Sequence, residues 1–222
     1  AGVTIGTYLK QLGFNVDYAP VADVLTNPGN TAIGTRSFGS DASMVADMVI
    51  KELEGLSSQG VFGAVKHFPG QGGVSGDSHD GAVTLDKSLE ELMQTELVPF
   101  QKALENGVSF VMVGHISVPQ VVGDNTPASL SQMMVSNVLR EQLGYQGIVI
   151  TDAMNMGAVT GNYTADQAAV MAVNAGVDMI LMPQDYETAY NGLLQAVQDG
   201  TISEERIDES VERIVKVKLQ MQ

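Results

Sequence analysis

The chain has 222 residues, enough for one large domain with a sizeable hydrophobic core. It contains 26 acidic and 11 basic residues, and the resulting net charge of −15 argues against nucleic acid and anionic membranes as partners. Cysteine is absent, which excludes disulfides and thiolate chemistry, and no apolar run approaches the roughly 20 residues that cross a bilayer. We recognise no signal peptide, because the first residues already follow a helical pattern.

Apolar runs of strand length alternate with longer helical patterns along the chain. In chain order we predict helix 2–13, strand 15–20, helix 42–59, strand 61–68, helix 88–106, strand 110–116, helix 129–143, strand 147–153, helix 164–175, strand 179–183, and helices 186–199 and 203–220. Ser88 with Glu91 predicts a capping box, and Gly107 and Gly144 stand where helices end. The strands are almost continuously apolar, as expected for parallel strands in βαβ units with helices on both faces.

Polar residues collect where the predicted strands end. Five of them lie at or just beyond the carboxyl end of a strand: Asp23, Lys66, His67, His115 and Asp152. A (β/α)8 barrel and a doubly wound sheet both bind ligands at that edge. No GxGxxG or GxxxxGK[ST] pattern is present, which disfavours a nucleotide-binding sheet.

Five strands are predicted, whereas a TIM barrel has eight. The chain also begins inside a helical pattern, so we expect an α/β fold that is an incomplete (β/α)8 TIM barrel, with about five of the eight βα units, strands 4–8. About three units would be missing upstream. No linker or internal repeat is visible, and residues 1–222 are predicted to form one partial domain.

The stretch from Lys66 to Gly81 (KHFPGQGGVSGDSHDG) is rich in glycine and carries two of the three histidines. Titratable residues on such a loop more often serve chemistry than packing. In extended backbone Asp77 and His79 would point the same way, so that the carboxylate could fix the tautomer of the imidazole. The alternatives are a chance pair on a solvated loop and a metal pair without a clear third ligand. A serine triad would need a GxSxG elbow, which is absent.

Asp152 follows the apolar run Ile148–Ile150. An aspartate after a strand can be a helix N-cap, and that structural role is one interpretation. The other polar residues at the same edge favour a catalytic carboxylate. A strand end would hold such a group in a fixed direction, as a nucleophile requires.

The basic residues near this edge have structural and functional interpretations. Lys66 ends a buried strand, where it can pair with an acid across the barrel or donate hydrogen bonds to substrate hydroxyls. Arg36, in the segment GTRSF, is either a solvated charge or, with Lys66, a clamp on an oxygen-rich ligand. His115 is either a ligand contact or a structural hydrogen-bonding group, and we favour the structural role.

Together these residues resemble the bacterial β-N-acetylglucosaminidases of glycoside hydrolase family 3. Residues 66–70 (KHFPG) and 77–79 (DSH) are similar to the family's KHFPGHG…DSH signature, whose DSH element is specific to this branch. Residues 17–24 (DYAPVADV), 36–38 (RSF), 114–115 (GH) and 151–158 also match, in the same order, and the similarity runs from about residue 3 to about 200. Gln71 departs from the signature, which usually has a second histidine there, and Ala153 replaces a second acid.

The resemblance implies a retaining exo-β-N-acetylglucosaminidase that removes terminal β-linked N-acetylglucosamine from peptidoglycan fragments or chitooligosaccharides. Asp152 would correspond to the nucleophile that forms a covalent glycosyl-enzyme, His79 to the acid/base and Asp77 to its orienting partner. The sugar-binding residues of the −1 subsite would be Arg36, Lys66 and His67, with Asp23 and His115 as further candidates. No metal or other cofactor is expected.

Two alternatives stay open. A phosphorylase would fit because a histidine acid/base repels phosphate less than a glutamate would, and a catalytically inactive sugar-binding fragment would also fit. The expected partner is a small-molecule carbohydrate. A second copy of the chain or a separate segment is also expected, to complete the barrel. Neither nucleic acid nor membrane is expected. The compartment is left open between the bacterial cytoplasm and a secreted or cell-wall-associated location.

Overall fold

The computed structural model describes residues 1–221, and its main sheet has five parallel strands. The strands are β1 (Val16–Asp17), β2 (Phe62–Phe68), β3 (Val83–Thr84), β4 (Phe110–Val113), β5 (Ile116–Ser117), β6 (Ile148–Ala153) and β7 (Met179–Leu181). The main sheet has the order β1-β2-β4-β6-β7, while β3 and β5 form a separate parallel pair that was not predicted. All five predicted strands are confirmed, and their sequential parallel order is that of an incomplete barrel.

Helices connect the strands. They are α1 (Gly2–Gln11), α2 (Ala42–Ser57), α3 (Leu89–Gln94), α4 (Val98–Glu105), α5 (Pro119–Val122), α6 (Gly157–Thr160), α7 (Ala165–Ala175), α8 (Tyr186–Gln198) and α9 (Glu204–Gln220), with 3-10 turns Gly34–Arg36 and Ala128–Leu130 and a π-helix Met133–Gln142. In residues 1–221 no helix combines the length and apolarity that a membrane crossing would need.

The local helix signals are mostly confirmed. The capping box of Ser88 and Glu91 is present, and Gly107 and Gly144 both follow helix ends with φ of +72°. The predicted helix 88–106 is instead two helices, α3 and α4. Pro99 lies in the first turn of α4, where proline is tolerated, because farther inside a helix it would remove a hydrogen bond and clash with the preceding turn.

The main sheet is covered on both faces. On the outer face, Val65 and Val149 belong to the large core that the sheet shares with the surrounding helices. Side chains alternate along each strand, so Ala64 and Ile148 face the inside, where Val217 of α9 packs against them. α9 therefore covers the inside near the amino ends of the strands and leaves the polar residues of the carboxyl ends uncovered.

The two outermost strands, β1 and β7, each have one neighbour in the sheet. Exposed apolar side chains occur mainly in the first and last segments of the described residues. Twelve of the fifteen exposed large apolar side chains in the described residues lie within 1–18 or 182–219. The other three are Met44, Met48 and Met133. Of the twelve, Phe14 and Tyr18 flank β1, and Met182 directly follows β7.

Candidate active site

Asp152 lies one residue before the end of β6, at the carboxyl edge of the sheet. Its Oδ1 accepts a 2.8 Å hydrogen bond from the Ala153 amide. Its Oδ2 lies 3.9 Å from Nε2 of His67, too far for a hydrogen bond. The N-cap of the next helix, α6, is Met156, so Asp152 does not cap it. One oxygen of a carboxylate held by a strand is therefore available to a ligand.

Asp23 holds the ring of His67. Asp23 is fully buried, and its Oδ2 lies 2.7 Å from Nδ1 of His67. Its Oδ1 accepts hydrogen bonds from the amides of His67 at 3.3 Å and Gln71 at 2.6 Å. An ionised carboxylate only accepts, so with Asp23 ionised Nδ1 of His67 is the donor in this contact, and Nε2 faces Asp152. The sequence left the role of Asp23 open, and in the structure its carboxylate holds the ring of His67.

Asp77 and His79 form a pair on the glycine-rich loop. Oδ1 of Asp77 lies 2.7 Å from Nδ1 of His79 and accepts the His79 amide at 2.9 Å. The Asp80 amide donates to the Asp77 carbonyl at 3.1 Å, so the pair forms across a turn and the expectation of extended backbone is wrong. The bonds from the amide and ring of His79 lower the pKa of Asp77. The His79 side chain is 64% exposed, which makes its Nε2 accessible to a ligand.

Backbone hydrogen bonds join this loop to the chain that follows Asp152. The Gly157 amide donates to the His79 carbonyl at 3.0 Å. The Ala158 amide donates to the Ser78 carbonyl at 3.1 Å. These bonds bring the predicted acid/base pair and the predicted nucleophile to the same edge of the sheet.

Lys66 and Arg36 add positive charge to this edge. Lys66 is half-buried and forms no ion pair in the part of the chain that the structure describes, so the predicted structural salt bridge is not observed. Burial lowers the pKa of Lys66, and the charge of Arg36 lowers it further, while Asp152 opposes the shift. Arg36 lies in a 3-10 turn and donates to the Ala32 carbonyl at 2.6 Å. Lys66 thus keeps its hydrogen-bond donors for a ligand.

His115 is buried, and both of its ring nitrogens are bonded within the protein. Nδ1 lies 2.7 Å from Oγ of Ser129, and Nε2 lies 3.0 Å from the Ala153 carbonyl oxygen. Burial lowers the pKa of His115 and so favours the neutral ring. This geometry corresponds to the structural interpretation, in which His115 supports the backbone next to Asp152.

Several supporting residues carried no clear signal in the sequence. Nδ2 of Asn30 donates to the Gln71 carbonyl at 2.6 Å, and Nε2 of Gln71 donates to Oγ of Ser78 at 3.0 Å. Glu96 is fully buried, and its Oε1 binds Nζ of Lys87 at 2.6 Å. A buried amide or carboxylate becomes recognisable only once its partner is known, and only Gln71 lies on the same loop as the DSH element.

The candidate residues at the carboxyl edge lie away from the large groove of this chain. A groove of about 920 Å³ lies at the opposite end, between α9 and the loops that enter β4 and β6, and contains none of the candidate residues. In residues 1–221 no group of three or more His, Asp and Glu side chains is arranged to hold a metal ion. The carboxylates, imidazoles and lysine at the carboxyl edge suit acid–base and nucleophilic chemistry on an oxygen-rich ligand.

Comparisons with known proteins agree with this description. The chain is 37% identical over 96% of its length to the beta-hexosaminidase LpqI of Mycobacterium tuberculosis. The structure of a glycoside hydrolase family 3 beta-N-acetylglucosaminidase from Paenibacillus sp. str. FPU-7 is 41% identical and has a TM-score of 0.97 over 99% of this chain and 42% of that one. The beta-glucoside phosphorylase BglX bound to 2FGlc is 28% identical, with a TM-score of 0.95 over 99% of this chain and 41% of that one.

The chain spans 40% to 56% of the lengths of the first curated relatives that it matches. A model described as "Glycosyl hydrolase family 3 N terminal domain" matches residues 1–217, nearly the whole chain. The resemblance found in the KHFPG and DSH segments is therefore confirmed at the level of the family. The chain belongs to glycosyl hydrolase family 3 and corresponds to its N-terminal domain.

Proposed function

We propose that the protein is a retaining exo-β-N-acetylglucosaminidase that acts on peptidoglycan fragments or chitooligosaccharides. The observation that supports the proposal is the pair of backbone bonds between the Asp77–His79 loop and the chain behind Asp152, which join an imidazole–carboxylate pair to the segment that follows a strand-end carboxylate. Retaining hydrolysis uses two such groups, one on each side of the scissile bond. Similarity to a beta-hexosaminidase and a beta-N-acetylglucosaminidase supports the choice of sugar.

The proposed reaction has two displacements. First, a carboxylate oxygen of Asp152 attacks C1 of the sugar while the bond from C1 to the leaving oxygen breaks, and that oxygen takes the proton from Nε2 of His79. Next, Nε2 takes a proton from water, whose oxygen bonds to C1 and releases Asp152 as a carboxylate. Asp77 holds Nδ1 throughout and stays ionised, because the bonds from His79 lower its pKa. Two inversions at C1 retain the β configuration.

The remaining polar groups would bind the terminal sugar. The Lys66 ammonium, which has no ion pair in the described residues, and Nε2 of His67, which Asp23 turns toward Asp152, would contact the hydroxyl groups. Burial is the main cause of the lowered pKa of Lys66, and the bonds from His79 are the main cause of the lowered pKa of Asp77. The charge of Arg36 lowers both pKa values further, so Arg36 lies near both groups and would contribute a further donor.

The test is covalent labelling of the active protein with a fluorinated N-acetylglucosamine-type inactivator, followed by mass spectrometry of the peptides. We expect one modified residue, Asp152, together with hydrolysis of an aryl N-acetyl-β-glucosaminide. Labelling at Asp77 would overturn the assignment of the nucleophile. Absence of hydrolysis with any β-N-acetylglucosaminide would overturn the proposed function.

A phosphorylase is the second candidate, favoured by the histidine acid/base and by similarity to the phosphorylase BglX. Phosphate would then replace water in the second displacement and yield the sugar 1-phosphate. Product analysis with and without phosphate separates the two activities. Binding of N-acetylglucosamine without turnover under either condition would instead indicate a sugar-binding fragment.

We also propose that another segment or a second copy completes the sheet. The support is that the edge strands β1 and β7 each have one neighbour, and that the exposed apolar residues Phe14, Tyr18 and Met182 flank them. The 222-residue chain alone should therefore self-associate or be poorly soluble, and its activity should be weak. Light scattering combined with an aryl-glycoside assay tests this. A monodisperse monomer with full activity would contradict it.

A further inference from the structure

We infer that Gly157 is a positioning residue, because its lack of a side chain lets the loop that carries Asp77 and His79 lie against the chain behind Asp152. The inference rests on the proposed function and deepens it. It states which backbone contact determines where the proposed general acid meets the substrate.

The space beside Gly157 is filled by backbone of the loop. A Cβ atom at this position would lie 2.7 Å from the His79 carbonyl oxygen, and 2.9 and 3.0 Å from the carbonyl carbon and oxygen of Asp80. Backbone atoms cannot rotate away as the end of a flexible side chain can. Gly157 is the first residue of α6, so alanine can adopt its backbone conformation. A methyl group at position 157 would therefore displace the loop that carries Asp77 and His79.

Two hydrogen bonds make the same contact directional. The amides of Gly157 and Ala158 donate to the carbonyls of His79 and Ser78 at 3.0 and 3.1 Å. Both acceptors lie inside the DSH element. A shift of the loop by the width of a methyl group would break these bonds and would move the His79 ring with its backbone.

Ser78 holds the loop from its other side. Between two partly exposed neighbours, Ser78 is fully buried, and its hydroxyl accepts a bond from Nε2 of Gln71 at 3.0 Å. The backbone amide of Gln71 donates to Oδ1 of Asp23, the residue that holds His67. The loop therefore lies between the segment that carries the nucleophile and the segment that carries the sugar-binding histidine.

Displacement of His79 should slow proton transfer to the leaving oxygen more than it slows the other parts of the reaction. A general acid acts only within hydrogen-bond reach of the leaving oxygen, and a displacement of about 1 Å can cost about 10²-fold in rate. Activated aryl glycosides need little protonation of the leaving group. A displaced His79 should therefore slow poor leaving groups far more than activated ones.

The experiment compares Gly157→Ala with Gly81→Ala in the active protein. Gly81 lies on the same loop, and a Cβ there would meet no atom within 4 Å, so this variant is the matched control. Gly157→Ala should lower kcat/KM for a disaccharide of N-acetylglucosamine by about 10²-fold and for a dinitrophenyl glycoside by less than about tenfold. Gly81→Ala should change both values by less than about twofold.

Hydrogen exchange gives a readout that needs no activity. The peptide amides around residues 77–80 and 157–158 should exchange faster in Gly157→Ala and should be unchanged in Gly81→Ala. Ser78→Ala removes the bond from Gln71 without adding volume and should shift exchange and leaving-group dependence in the same direction. This second variant decides the matter if Gly157→Ala does not fold.

Three outcomes would overturn the inference: unchanged exchange around 157–158, equal losses on both substrates, or the same losses in Gly81→Ala. A parent protein that hydrolyses no β-N-acetylglucosaminide would overturn the proposed function instead. The exchange comparison would then still decide whether Gly157 positions the loop.

Discussion

Two aspartates at opposite ends of the main sheet have opposite surroundings. Asp178 immediately precedes β7, and Asp152 lies near the end of β6. The Asp178 side chain is fully buried, and Oδ2 accepts from Nη2 of Arg140 at 2.6 Å. Oδ1 accepts from Oγ of Ser210 at 2.7 Å and from Nη1 of Arg213 at 3.0 Å. Every oxygen of this carboxylate is occupied, and the bonds tie α9 and the π-helix to the sheet.

Within residues 1–221 the Asp152 carboxylate accepts one hydrogen bond, from the neighbouring Ala153 amide, and its second oxygen lies 3.9 Å from Nε2 of His67. The two carboxylates thus differ in the number of donors already bound to them. A saturated carboxylate stabilises the fold, whereas an under-coordinated one can form a new bond. The division follows the barrel rule that the amino face serves stability and the carboxyl face serves chemistry.

The largest effect should follow from replacing the under-coordinated carboxylate. Asp152→Ala in the active protein should lower kcat by about 10⁴-fold or more, because the covalent intermediate cannot form. Its free energy of unfolding should change by less than about 1 kcal/mol, since only one local hydrogen bond is lost. Steady-state kinetics and urea denaturation measure the two quantities. Substantial residual turnover would show that Asp152 is not the nucleophile.

Replacing the saturated carboxylate of Asp178 should lower stability and leave kcat unchanged. Asp178→Asn should lower the free energy of unfolding by about 3–5 kcal/mol, because the buried guanidinium groups lose their counter-charge. The folded fraction should keep its kcat. The matched control is Asp208→Asn, an exposed position on α9, which should shift stability by less than about 0.5 kcal/mol. Equal stability of the two variants would mean that the buried cluster is not the structural element described above.

At the carboxyl edge, replacing the proposed acid/base residues should have a smaller and substrate-dependent effect. His79→Ala should lower kcat/KM by about 10²-fold for poor leaving groups and much less for activated aryl glycosides. Asp77→Asn should act in the same direction, because it removes the carboxylate that orients the ring. A leaving-group series on each variant measures this. Losses that are independent of the leaving group would show that His79 only helps to bind the sugar.

The smallest expected effect is on the pH dependence of the free energy of unfolding. Burial lowers the pKa of His115 in the folded protein, whereas the unfolded chain has a histidine pKa of about 6.5. The unfolded state therefore binds the proton first, so the contribution of neutral His115 to stability is complete above about pH 6.5 and is lost as the pH falls toward the lowered pKa. Urea denaturation of His115→Asn should show a weaker decline in stability below pH 6.5 than the parent. Parallel curves would exclude His115 as a source of that decline.

Features with a local origin followed from the amino-acid order. Apolar runs predicted all five strands of the main sheet, and the capping box of Ser88 and Glu91 was confirmed. The KHFPG and DSH segments indicated the family, and their spacing indicated the pair of Asp77 and His79. Each of these depends on neighbouring residues, whose spacing and composition are visible without coordinates.

Contacts between distant segments required the folded chain. Asp23 and His67 are 44 residues apart, and Asp178 and Arg140 are 38 apart. Neither sequence spacing nor composition specifies which loops meet at a sheet edge, because that depends on strand register and on the path of each connection. The contact of Gly157 with the DSH loop belongs to the same class. A glycine in a sequence shows where a side chain is absent, and only the packed neighbours show what that absence makes room for.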